Sequence, residues 1–169
     1  MTFPTELTIR LARVTDVPTI LAFIRDLAEY EKLLDQVVAD EAKLRATLFE
    51  GKPAAEVLIA ELAGAPVGFA LFFQSYSTFL AKPGLYLEDL FVRPAARGKG
   101  VGVALMSACA RIAVERHYGR FEWAVLDWNE PALGFYRELG AVQLTEWKVH
   151  RLTGAPLAAL AQRSAMVAP

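Results

Sequence analysis

The stretch from Leu85 to Gly102, LYLEDLFVRPAARGKGVG, restricts this chain more than any other. It begins as an apolar strand run broken by two carboxylates, Glu88 and Asp89. It turns at Arg93-Pro94 and enters a helical pattern through Arg97-Gly98-Lys99-Gly100-Val101-Gly102. A strand, a glycine-rich turn and a helix start make an anion site from main chain alone. The first amides of a helix have no acceptor inside it, and the helix dipole adds partial positive charge there. Glycine lets the backbone close on an anion with no Cβ in the way. Arg97 and Lys99 bring formal charge. The expectation is a loop that holds a pyrophosphate, with the reaction centre on the strand before it. The plainer alternative is a glycine-rich turn that only joins a strand to a helix.

Two common phosphate loops do not fit. A Walker loop needs Lys and then Ser or Thr after its last glycine, but Val103 and Ala104 follow Gly102. A dinucleotide fingerprint counted from Gly98 needs its third glycine at Val103. Glu88 and Asp89 are costly in a strand flanked by Leu87 and Leu90, because buried charge is unfavourable. Neighbouring strand residues face opposite ways, so one of the two should face the interior or a cleft. An ion pair with an arginine, or a bent strand that brings both to water, would also explain them.

Composition removes several other classes. With 169 residues and 54% hydrophobic content, the chain suits a single domain, residues 1–169, with a substantial core. The net charge of −1 does not suggest a nucleic-acid binder. One cysteine, Cys109, excludes an internal disulfide and reads as a small buried thiol; two histidines, His117 and His150, argue against a multi-histidine metal site. His117 reads as a cation suited to a helix C-terminus. The start MTFPTELTIR carries no leader pattern, and the longest apolar run, Val67 to Phe73, is too short to span a bilayer. The expectation is a soluble cytoplasmic protein, with neither metal, nucleic acid nor membrane as a partner.

Taken in order, Leu7, Ile9 and Leu11 alternate as a strand. Thr15 or Asp16 can cap a helix with Pro18 in its first turn and Ile20, Leu21, Ile24, Leu27 and Ala28 on one face. Asp40 caps a second, short helix bearing Leu44, Leu48 and Phe49. Glu56–Leu62 and Val67–Gln74 read as a hairpin about Ala63-Gly64-Ala65-Pro66. Ser75–Gly84 reads as a loop and Leu85–Val92 as the fourth strand. A helix from Gly100 follows, then a strand over Arg120–Leu126. Asn129 caps a helix, with Pro131 in its first turn, that runs to Leu139 and stops at Gly140. Val142–Leu152 reads as a last strand and Gly154–Met166 as a short terminal helix. This order predicts an α+β fold: a central mixed, mostly antiparallel sheet with helices on both faces. Tyr136, on the Asn129 helix, reads from periodicity alone as a core aromatic.

The segments RGKGVG and DWNEPALGFYRELGA resemble the GCN5-related N-acetyltransferase superfamily, whose Arg/Gln-x-x-Gly-x-Gly/Ala signature is met by Arg97, Gly100 and Gly102. LAEYEKLLDQV, LYLEDLFV and WNEPALGFYRELGA further resemble its diamine (spermidine/spermine) and thialysine acetyltransferases, and the likeness runs from about Thr8 to Leu152. The resemblance implies acetyl-CoA as co-substrate and no metal. Arg97, Gly98, Lys99, Gly100, Val101, Gly102 and Val103 would hold its pyrophosphate. Leu90, Phe91 and Val92 would pair with the pantetheine arm along splayed strand edges, and Asn129, Glu130, Pro131 and Ala132 would line its other side. Tyr136 would stand near the thioester sulfur and protonate the leaving thiolate; Glu88 would act on the attacking amine through water. Tyr30, Glu31, Glu88 and Asp89 would hold a small polyamine or diamine. An amino acid such as thialysine, another small amine, and a silent acyl-CoA sensor are the alternatives. A homodimer whose neighbour helps shape the acceptor site is also implied. The likeness loosens after Gly140, where Glu146 is a further acceptor-binding acid by loose register, and Asp127 is shorter than the family's glutamate.

Overall fold

The computed structural model describes residues 3–163. They group into two compact units, one up to Ala124 and one from Val125 onward. The first unit is a five-stranded sheet in the order β1 (Leu7–Leu11), β2 (Glu56–Leu62), β3 (Ala65–Ser77), β4 (Lys82–Val92) and β5 (Phe121–Trp123). All pairs are antiparallel except β4 with β5, which are parallel and joined through a helix. This is the mixed, mostly antiparallel α+β sheet that the element order predicts.

Helix α1 (Val17–Tyr30) and helix α2 (Glu41–Phe49) share one face of the sheet. Val17, Ile20, Phe23, Leu44 and Leu48 meet Val57, Ile59, Phe69 and Phe91 in one core. Phe23 stacks on Phe69 with ring centroids 5.4 Å apart. Helix α3 (Val101–Glu115) packs on β3 and β4 and buries Val101, Leu105, Ala108 and Cys109 outside that core. Strand residues alternate between faces, so α3 covers the side to which Leu58, Ala60, Leu85 and Leu87 point. Cys109 is fully buried, and burial pushes its thiol up to about 12, which makes it inert packing.

Local chemistry explains most boundaries. The β2–β3 hairpin turns on two residues, Ala63 and Gly64, both with positive φ (51° and 76°), the conformation that fits strand twist. Asp40 accepts from the Lys43 amide as an N-cap at 2.8 Å. Asp16 stands before α1 but does not cap it. Its carboxylate is held by Arg10 at 2.7 and 2.9 Å and by the Arg13 amide at 2.7 Å. Those hydrogen bonds, Arg10's foremost, hold Asp16 below the usual carboxylate range, and Arg10 also reaches Glu61 on β2.

Several expected boundaries need correction. Ser75–Gly84 is not a loop: β3 and β4 extend through it as a hairpin and leave only Thr78–Ala81 as the turn. Cross-strand hydrogen bonding outweighs the polar, turn-like composition there. β5 is three residues long rather than seven. In the second unit, helix α4 (Glu130–Glu138) follows Asn129, whose Oδ1 accepts from the Ala132 amide at 3.3 Å. It ends at Gly140 (φ 82°), with Gly140 and Ala141 amides bonded to Arg137 and Tyr136 carbonyls, as expected of a C′ glycine. Val142–Leu152 is not a strand. Among the described residues it has no strand partner, and Val142 and Trp147 are 83% and 73% exposed; alternating residues without a ladder cannot satisfy a strand backbone. Helix α5 spans Gly154–Ala161, and the remainder of its expected range reaches beyond the described residues. No helix among the described residues is long and apolar enough to cross a membrane.

Phe23→Ala should cost about 3–5 kcal/mol in urea unfolding, because it empties a fully buried, stacked site. Arg111→Ala, which removes only an exposed pair at 3.9 Å with Glu115, should stay within about 0.5 kcal/mol.

Candidate active site

β4 pairs with β3 without interruption except at one point. Leu71 lies opposite Asp89 and Phe72 lies opposite Leu87, so Glu88 has no partner. It is a one-residue bulge, which re-aims side chains on a strand. The extra residue reverses the alternation. Leu85 and Leu87 point to the α3 side, whereas Asp89 and Phe91 share the face of Leu71 and Phe69, the side of α1. Glu88 is exposed and Asp89 half-buried. One of the two carboxylates, Asp89, thus faces the interior side as expected while Glu88 reaches water, and the bulge rather than plain alternation decides which face Asp89 takes.

The C-terminal end of α1 supplies the rest of an acidic cluster. Glu31 is its C-cap residue. Lys32 follows with φ 60°, and the Lys32 and Leu33 amides bond to the Glu29 and Ala28 carbonyls. This is the helix-closing motif that usually carries glycine, here with a lysine in a left-handed conformation. Burial raises the Glu31 carboxyl above its ordinary range. Asp89 is pushed up to about 6, first by burial and then by the charges of Glu88 and Glu31. Glu31 and Asp89, 58 positions apart in sequence, thus act on one another electrostatically, and Tyr30 precedes Glu31.

The turn after β4 has the expected shape. A short 3-10 turn, Pro94–Ala96, leads into Arg97 and the glycines. Gly98 and Gly100 have φ of 74° and 79°, and Gly100 occupies the N-cap position of α3. An added Cβ at Gly98 would meet nothing, and one at Gly100 would lie 3.4 Å from the Phe3 ring, so glycine is needed mainly for its backbone angles. The first helical hydrogen bond runs from the Ala104 amide to the Gly100 carbonyl, so the amides of Val101, Gly102 and Val103 have no acceptor within the helix. Lys99 is exposed beside them. The Arg97 guanidinium does not simply add charge to this loop. Its Nε donates to the Val92 carbonyl at 2.9 Å, and its carbon lies 4.8 Å from the Tyr30 ring centroid and 5.6 Å from that of Phe91.

β4 also offers an open edge. β5 pairs only with Leu85, Tyr86 and Leu87. Beyond them β4 runs on to Val92 with β3 as its one strand partner among the described residues. The Arg93 amide bonds to the Val67 carbonyl on β3, so alternation turns the polar groups of Phe91 to β3 and those of Leu90 and Val92 to the open edge. In the second unit, Asn129, Glu130, Pro131 and Ala132 form the cap and first turn of α4. Tyr136 lies on that helix next to Phe135, with ring centroids 5.3 Å apart. Glu146 lies beyond α4, where its Oε2 accepts from the Thr145 hydroxyl at 3.5 Å.

These features fit a diphosphate-bearing coenzyme: helix amides with no acceptor inside the helix, a turn with glycine at both left-handed positions, and a strand edge able to pair with an extended amide arm. Sequence comparison decides among the possible ones. The Acetyltransferase (GNAT) family model matches residues 22–141.

The chain belongs to the GNAT acetyltransferase family.

As a member, it is an N-acetyltransferase, and the family's acyl donor is acetyl-CoA. It is 41% identical to a thialysine N-epsilon-acetyltransferase of Bos taurus over 164 residues, covering 90% of this chain and 96% of that protein. It is 36% identical to an L-ornithine N5-acetyltransferase of Arabidopsis thaliana, covering 90% of this chain and 86% of that one. An integron cassette protein from V. cholerae has the same fold, with a TM-score of 0.78 and 27% identity over 94% of this chain and 99% of that one. The GNAT sheet therefore carries the loop, the bulge and the acidic cluster described above.

The raised Asp89 carboxyl sets a sign for stability. Its folded value lies above the unfolded one, so its contribution is full below about pH 4 and is lost as pH rises through about 6. Asp89→Asn should thus be more stable than the native chain at pH 8, by about 1–2 kcal/mol in urea unfolding. The gap should close by pH 4.

Proposed function

We propose that this acetyltransferase transfers acetyl from acetyl-CoA to the terminal primary amine of a small, flexible acceptor, by direct attack within a ternary complex. The acceptor class we favour is the side-chain amine of an amino acid of the thialysine or ornithine type. The observation that carries this reading is the cluster of Glu31, Glu88 and Asp89 at the β4 bulge, one short turn before the glycine loop. The acceptors named for the relatives at 36–41% identity support the amino-acid type.

Acetyl-CoA supplies an activated thioester. Gly98 to Val103 would hold its diphosphate with main-chain amides, helped by Lys99. Leu90 and Val92 would pair with its arm, and Asn129 to Ala132 would line it. An alkyl amine with a pKa of about 10.4 is neutral in roughly one molecule in a few thousand at pH 7. The site must therefore attract a cation and then remove its proton. Three carboxylates close together do the first. Asp89, raised toward neutrality, lies nearer the amine in proton affinity than an ordinary carboxylate. Glu88, exposed at the bulge, takes the proton through water and returns it to solvent. Tyr136 donates a hydrogen bond or proton to the departing thiolate. Cys109 is buried and carries no acyl group.

The test is thiol release from acetyl-CoA with thialysine, L-ornithine, 1,3-diaminopropane and spermidine. The highest kcat/KM is expected with the two amino acids. A higher value with spermidine or the diamine would replace them with a polyamine acceptor. Coenzyme binding without release by any of the four would support an acyl-CoA sensor instead. Tyr136→Phe should lower kcat by about 100-fold while the acetyl-CoA KM changes less than about threefold; equal loss in both would remove its role as acid.

A further inference from the structure

Arg97 opens the glycine loop, yet its side chain turns back toward α1. The Nε–H is fixed on the Val92 carbonyl, at the end of the open β4 edge, and the planar guanidinium lies against both Tyr30 and Phe91. Arg93, four residues earlier, also stacks on α1, over Phe23 at 4.7 Å. It is tied there by an ion pair with Asp26 and a bond to the Pro66 carbonyl, so it is a structural clamp. Arg97 instead ends on Tyr30, the last helical residue of α1, beside the C-cap Glu31 and the left-handed Lys32. Helix ends fray unless held. The residues that would meet the amine are therefore held in part by the first residue of the loop that would meet the diphosphate.

We propose that Arg97 is a positioning residue that couples the coenzyme loop to the amine end of the site. The proposal rests on the acetyltransferase reading above. A diphosphate bound on residues 98–103 restrains the main chain at Arg97, and through its stack Tyr30 and Glu31 are held in one orientation. An amine bound at Glu31 and Asp89 restrains the same stack from the other side. Each ligand then meets a partly ordered partner site, and the gain is reciprocal. Lysine cannot replace this arginine, because it has neither the planar face nor the directional Nε–H.

The experiment compares the native chain with Arg97→Lys, Tyr30→Leu and the double variant. It measures CoA dissociation constants by calorimetry with and without thialysine, and steady-state kcat and KM for thialysine at saturating acetyl-CoA. Arg97 is exposed, and thermal melts verify that each variant is folded. In the native chain, thialysine should tighten CoA by about 5–10-fold. Arg97→Lys should abolish that tightening and raise the thialysine KM about tenfold, with kcat and the CoA constant measured alone each within about threefold. Tyr30→Leu alone should abolish the tightening as Arg97→Lys does, and the double variant should show the same absence of tightening as either single variant, since both remove one contact. Weakened CoA binding with an unchanged thialysine KM would make Arg97 a diphosphate ligand and overturn the proposal. So would a Tyr30→Leu variant that keeps the full tightening, or the absence of coupling in an active native chain. A native chain with no amine-dependent thiol release would overturn the acetyltransferase reading, and this proposal with it.

Discussion

Glu88 has no partner on β3, and the alternation of β4 reverses across it. Before the bulge, Leu85 and Leu87 serve the core beneath α3; after it, Asp89 and Phe91 face α1. In a regular strand Asp89 would have followed Leu87 onto the α3 side, away from Glu31. The cost is a lost ladder position. The gain is that two sequence neighbours have different surroundings, one in water and one half-buried, within one acidic cluster.

The glycine loop and the strand edge proposed to hold the coenzyme present mainly main-chain groups. Amides at a helix start and alternate peptide groups on an unpaired strand bind much the same whatever side chains flank them. That is why a coenzyme platform of this kind can be shared by sheets whose sequences have drifted far apart. In the reading proposed above, acceptor recognition would depend on side chains instead, on Tyr30, Glu31, Glu88 and Asp89, and such contacts diverge more readily. Fold alone does not choose the amine.

The site also carries energetic strain that a purely structural design would avoid. Asp89 is a carboxylate raised by burial and by like charges, and Lys32 holds a backbone conformation suited to glycine. Such features persist where the surrounding structure over-determines them, and they gather at functional positions. Arg93 and Arg97 provide much of that determination by fastening α1 to the strand and loop beside it.

Sequence alone determined the glycine turn between a strand and α3, the caps at Asp40 and Asn129, the C′ glycine at Gly140 and the hairpin of β2 with β3. Each is set by interactions within a few residues, so the local pattern carries the information. Two adjacent carboxylates in an apolar strand also marked the place where the structure sets the bulge. Only the tertiary structure decided the rest. The extended β3–β4 hairpin, the truncated β5 and the missing strand at Val142–Leu152 depend on which backbone finds a partner, and pairing is not local. The bulge follows from the register of β4 on β3, and the nearness of Glu31 to Asp89 and the turning of Arg97 from the loop to Tyr30 follow from the packing of α1 on the sheet. Each joins residues far apart along the chain, so no local pattern could have encoded them.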